Sequence, residues 1–116
     1  MNLPTDLKHV SSGPELETLL KEKENLMVCC GRMGPMCIPV YGHMKKLVES
    51  GNFPQIEFRD MLFDNPDAAV IREHPKCRSF MGLPFTVYYK NGKMVHATSS
   101  LQSEEQIKEI LNKYFT

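Results

Sequence analysis

Cys29, Cys30 and Cys37 fall within nine residues of one another, and Cys77 is the fourth cysteine of the 116-residue chain. Thiols clustered in this way can exchange disulfides, sense redox state or hold a metal. The plainer alternative is packing, because free cysteine is among the most buried residue types. A secreted disulfide framework spreads its cysteines through a short, loop-rich chain, whereas here the first 28 and the last 39 residues have none. The cluster therefore reads as a site in a reducing compartment, and the expected location is cytoplasmic. Met1–Val10 lacks the apolar stretch of a signal peptide. No apolar run approaches the roughly 20 residues of a membrane-spanning helix. Lys+Arg and Asp+Glu each total 14, so the chain has no net basic excess for nucleic acid or an anionic membrane.

The elements that must position these thiols follow from periodicity and turn chemistry. Leu7–Val10 reads as a short strand. Ser12 caps a helix with Pro14 in its first turn, Glu15 at the capping-box position, and Leu16, Leu19 and Leu20 as its apolar stripe. Leu26–Cys30 is an unbroken apolar run, as expected of a strand covered on both faces. After the Gly31–Pro35 loop a helix runs to Gly51. Pro39 places its start near Met36–Ile38, with Cys37 in the first turn. Gln55–Asp60 alternates as a strand, and Asn65-Pro66-Asp67 opens a short helix that must end before Pro75. Phe85–Tyr89 and Met94–Thr98 flank an Asn91-Gly92 hairpin turn. Ser103 to Gln106 is a second capping box, ahead of a stripe formed by Ile107, Ile110, Leu111, Tyr114 and Phe115. The order β-α-β-α-β-α-β-β-α predicts one α/β domain over residues 1–116.

Four stretches carry a family resemblance. Leu26-Met27-Val28 leading to a loop with Gly34-Pro35, Asp64-Asn65-Pro66, Gly82-Leu83-Pro84-Phe85-Thr86-Val87, and Tyr88-Tyr89-Lys90-Asn91-Gly92-Lys93 together resemble thioredoxin. The resemblance covers most of the chain. It implies a thioredoxin-like fold: a mixed sheet of about four to five strands, helices on both faces, a closing β-hairpin and a C-terminal helix. It also implies a cis peptide bond at Pro84. Met33 and Met36 stand where the family has its two redox cysteines, so Met-Gly-Pro-Met replaces Cys-Gly-Pro-Cys, and Arg32 replaces the preceding tryptophan. The strand Leu26–Cys30 also lacks the family's buried aspartate. The chain is several residues longer before Pro84, in a stretch that includes Cys77.

The remaining thiols suggest a displaced pair. Neighbours in a strand point to opposite faces, so only one of Cys29 and Cys30 can face the loop, and Cys30, at the strand's end, is the expected one. Cys37, at a helix start, would meet unpaired N–H groups and the positive dipole end, a setting that favours a thiolate. The expected catalytic pair is therefore Cys37 with Cys30, across a Cys-x6-Cys turn. Pro84, Leu83, Met33, Gly34, Pro35 and Met36 would bind substrate. Cys77 is a possible third thiol, with surface or packing cysteine as the plainer reading. The resemblance implies a monomer exchanging thiols with protein disulfides and served by a reductase. A second reading is a redox-inert interaction module, in which Met33 and Met36 form an adaptable surface. A metal or iron–sulfur site at Cys30, Cys37 and Cys77, with His43 or His74, lacks the short paired spacing such sites use, so no metal and no cofactor is expected.

Overall fold

A computed structural model describes residues 2–115. The elements are β1 (Lys8–His9), α1 (Gly13–Glu22), β2 (Asn25–Gly31), α2 (Ile38–Ser50), β3 (Glu57–Leu62), a 3-10 turn (Pro66–Ala68) running into α3 (Ala69–Arg72), β4 (Phe85–Lys90), β5 (Lys93–Ser99) and α4 (Glu104–Tyr114). The strands form one mixed sheet in the order β1-β3-β2-β4-β5. β1, β3 and β2 run parallel, and β4 and β5 complete it antiparallel. This is the α/β architecture expected from the element order, with a five-stranded sheet closing on a hairpin and a C-terminal helix.

Strand parity divides the core in two. Met27 and Cys29 of β2 pack with Val40, Tyr41, Met44 and Leu47 of α2 and with Ile107 and Leu111 of α4. Leu26, Val28 and Cys30 pack on the opposite face, with Leu16 and Leu19 of α1, Ala68 of the 3-10 turn and Ile71 of α3. Every residue of β2 is buried, as its unbroken apolar run requires of a central strand.

Boundaries shift where tertiary pairing overrides local pattern. β3 begins two residues later than its alternation suggests and extends through Met61 and Leu62, because it pairs with β2 from Leu26–Glu57 to Gly31–Leu62. β1 keeps only Lys8 and His9, which pair with Arg59 and Asp60 of β3. α2 begins at Ile38, so Cys37 is its N-cap rather than a first-turn residue.

Both serine caps form where the sequence places them, but only the box at α4 is complete. Ser12 accepts from the Glu15 N–H at 3.2 Å, and the Glu15 carboxylate accepts from the Ser11 N–H at 2.5 Å, one residue before the cap. At α4, Ser103 accepts from the Gln106 N–H at 3.1 Å while Gln106 accepts from the Ser103 N–H at 2.8 Å. The turn residues Asn91 and Gly92 both take positive φ, 53° and 82°, which matches the twist of the β4–β5 hairpin. Ser103→Ala is expected to lower stability by about 1 kcal/mol through loss of the cap, read as a lower urea midpoint with unchanged slope.

Candidate functional site

The loop Arg32–Cys37 leaves the C-terminal end of β2, beside the start of β4, where the Leu83–Pro84 peptide bond is cis. The backbone of Gly31 is the point of convergence. A Cβ at this position would lie 2.7 Å from Tyr41 Oη, 2.9 Å from Cys37 Sγ and 3.0 Å from Pro84 Cβ. Only glycine lets all three groups approach at once. The Tyr41 hydroxyl donates to the Arg32 carbonyl at 2.9 Å, tying the loop to α2. Pro84 is held from its other side by Ser100, whose N–H donates to the carbonyls of Pro84 at 3.0 Å and Gly82 at 3.2 Å.

Arg32 anchors the outside of the loop. Its guanidinium donates twice to Asp64, at 2.9 and 2.7 Å, and lies 5.4 Å from the Phe63 ring centroid. Arg72 approaches the same ring at 5.3 Å. The hydrogen bonds from Arg32 hold the Asp64 carboxyl below its ordinary range. Where the resemblance leads one to expect a tryptophan, this chain therefore has a guanidinium paired to a carboxylate and set over an aromatic ring. Met33 and Met36 are 46% and 47% exposed and form the outer surface of the loop with Pro35. Gly34 is half-buried, as is Leu83, which packs against both core clusters.

The four thiols are free and buried. They separate into two sets by face. Cys37 shares a cluster with Cys29, and Cys30 shares the opposite cluster with Cys77. Cys30, expected to face the loop with Cys37, thus lies across the sheet from it. The reason is the side on which α2 packs: it covers the face of Met27, Cys29 and Gly31. Burial pushes the Cys30 thiol up to about 12, against an opposing pull from Arg72. Burial also raises Cys29 strongly and Cys77 to a lesser degree.

The helix end offers Cys37 fewer donors than its position suggests. Cys37 makes no capping hydrogen bond. The N–H groups of Cys37 and Ile38 both donate to the Gly34 carbonyl, Val40 donates to the Cys37 carbonyl, and Pro39 has no N–H. His43 lies 4.0 Å from Glu104 on α4, and His74 accepts from the Lys76 N–H, so both rings are engaged elsewhere. Among the described residues, no group of three or more His, Cys, Asp or Glu side chains is arranged to hold a metal ion.

One site-facing group was missed in the sequence. β2 carries no carboxylate, but Asp60 of β3 is the register partner of Cys29 and is fully buried. Its carboxylate is hydrogen-bonded to the Thr5 hydroxyl and, at 2.6 Å, to His9 Nδ1. Burial raises its affinity for a proton, while these two partners act in the opposite sense. Its signal was legible: Ile56, Phe58 and Asp60 alternate onto one strand face, which places a carboxylate in an apolar series.

Gly31→Ala is expected to cost about 1–3 kcal/mol, because the added methyl overpacks a junction with no space to give; thermal or urea unfolding reads this directly. A second expectation concerns pH. A carboxyl whose pKa is raised by folding stabilises the fold in its protonated form, fully below the ordinary value, and the contribution is lost as pH rises through the raised one. Wild-type stability should therefore fall relative to Asp60→Asn as pH rises above about 4, measured as the difference in urea midpoints.

No family model and no curated protein matches the chain. Solved structures do. A thioredoxin from Plasmodium falciparum aligns with a TM-score of 0.75 at 17% identity, covering 93% of this chain and 99% of that one. A mutant thioredoxin from Halobacterium salinarum gives 0.77 at 16% identity, over 100% of this chain and 96% of that one. Mitochondrial thioredoxin 3 from Saccharomyces cerevisiae, in its oxidised form, gives 0.74 at 17% identity, over 92% and 94%. With its five-stranded mixed sheet, its helices on both faces and these neighbours, the chain has the thioredoxin fold.

Proposed function

We propose that this chain is a thioredoxin-like thiol–disulfide exchange protein whose reacting sulfur is Cys37. The observation that supports it is the convergence at Gly31, which brings Cys37 Sγ and Pro84 Cβ to within 2.9 and 3.0 Å of one point. A substrate segment lying along Leu83-Pro84 and the loop Met33-Gly34-Pro35-Met36 would carry its own sulfur to this junction. Cys37 then attacks a substrate disulfide, forms a mixed disulfide and releases one substrate thiol. The partners in this reading are proteins with exchangeable disulfides and a reductase that restores the thiol. The chain would act as a monomeric single domain in a reducing compartment such as the cytoplasm, where four free thiols persist. Among the described residues, no helix is long and apolar enough to cross a membrane.

A second reading is favoured by a specific observation. Cys37 is only 2% exposed, whereas Met33 and Met36 on the same loop are nearly half exposed. Thioethers at the surface above a covered thiol suit a redox-inert module that binds protein through flexible, polarisable side chains. The two readings share a surface and differ in whether a bond is exchanged there.

Insulin reduction by dithiothreitol separates them. Under the exchange reading, the wild-type chain accelerates the reaction and Cys37→Ser abolishes at least nine-tenths of that acceleration. Equal rates with wild type, with Cys37→Ser and without protein would leave the inert module as the function.

A further inference from the structure

The four thiols do not have equal access to one another, and the alternation of β2 decides which can meet. Met27, Cys29 and Gly31 face α2, while Leu26, Val28 and Cys30 face α1 and α3. Cys37 Sγ lies 2.9 Å from the place of a Gly31 Cβ. Cys29 is the next side chain along that face, two residues or about 7 Å from Gly31 at a rise of about 3.4 Å per residue. No β2 side chain stands between them, because residue 30 points to the other face and residue 31 is glycine. Cys30 has the strand backbone between its sulfur and Cys37.

Cys29 also has a polar partner. Thr86, its register partner on β4, is fully buried and directs its hydroxyl at Cys29 Sγ, 3.7 Å away. Burial raises the Cys29 thiol well above its ordinary range, and the Thr86 donor acts against that rise. The charge of a Cys37 thiolate would raise Cys29 further, more than the adjacent Cys30 does, as expected of two sulfurs on one face.

We infer that Cys29 is the second sulfur of the site and resolves the mixed disulfide formed on Cys37. This rests on the exchange reading proposed above. In the first step the Cys37 thiolate attacks one sulfur of a substrate disulfide. The substrate S–S bond breaks, and its other sulfur leaves as a thiolate that takes up a proton. In the second step the Cys29 thiolate attacks Cys37 Sγ. The mixed disulfide breaks, the second substrate sulfur leaves and is protonated, and a Cys29–Cys37 disulfide forms. Two electrons pass from the cysteine pair to the substrate, and an external dithiol returns them. Cys30 and Cys77, together in the opposite cluster, take no part in either step.

The test uses the full chain and 5,5′-dithiobis(2-nitrobenzoate) as the disulfide probe. One nitrothiolate is released when Cys37 is labelled and a second when the resolving thiol displaces the adduct. Wild type, Cys30→Ser and Cys77→Ser are expected to release both. Cys29→Ser should hold the adduct on Cys37 and slow the second release at least tenfold, and Cys29→Ala is the alternative if the serine variant does not fold. Proteolysis of the oxidised protein should give one cross-link between the peptides carrying residues 29–30 and 37, retained in Cys30→Ser and absent in Cys29→Ser. Loss of the second release in Cys30→Ser or Cys77→Ser, with Cys37 still labelled, overturns the assignment of Cys29 and leaves the exchange reading standing. Failure of the folded wild type to take the label on Cys37 overturns the exchange reading, and the pair with it.

Discussion

The close approach of α2 to β2 over Gly31 is the constraint on which this end of the molecule depends. Three groups meet there: Cys37 at the N-cap of α2, Tyr41 one turn further along the same helix, and Pro84 at the entrance to β4. A side chain at residue 31 would push α2 away from the sheet, breaking the Tyr41 bond to Arg32 and opening the junction between Cys37 and Pro84. Packing at the density of a protein interior leaves no slack to absorb such a displacement. The absence of one Cβ thus sets where the sulfur lies relative to the surface that a substrate would touch.

Two polar arrangements frame that junction from opposite sides. Outside, Arg32 forms a planar fork with Asp64 and lies on Phe63, so the loop is fastened to the residues that follow β3. This pair is exposed, and its value lies in orienting the loop more than in stabilising the fold. Inside, Asp60 is buried beside Cys29 and held by Thr5 and His9, which fastens the N-terminal segment to β3. A buried carboxylate is tolerated only with such partners. Burial also makes its protonation sensitive to anything that disturbs them.

Much of the architecture was legible because it is written locally. The helix caps at Ser12 and Ser103, the proline in the first turn of α2, the Asn91-Gly92 turn and the apolar run of β2 each depend on residues within a few positions of one another. The strand ends were less legible, since β3 takes its bounds from pairing with β2 rather than from its own alternation. Asp60 showed its signal in the alternation of Ile56 and Phe58, but a carboxylate in an apolar series gains meaning only when Thr5 and His9 are brought beside it from more than 50 residues away. The helix end at Cys37 was legible in position and misleading in chemistry. Its donors are taken by the Gly34 and Cys37 carbonyls, a consequence of how the loop folds back.

The cysteines show where local information ends. By itself the sequence determined that Cys29 and Cys30 face opposite ways and that Cys37 stands at a helix start. These follow from a two-residue strand period and from proline chemistry, which need no knowledge of the rest of the chain. Only the tertiary structure decided which neighbour faces Cys37, by packing α2 on the Cys29 face and leaving Cys30 with Cys77 on the other. Parity says that the two faces differ; the helix crossing the sheet chooses between them. That choice is made by the combined burial of Val40, Tyr41, Met44 and Leu47 against the sheet, a non-local balance that the few residues around the thiols do not encode.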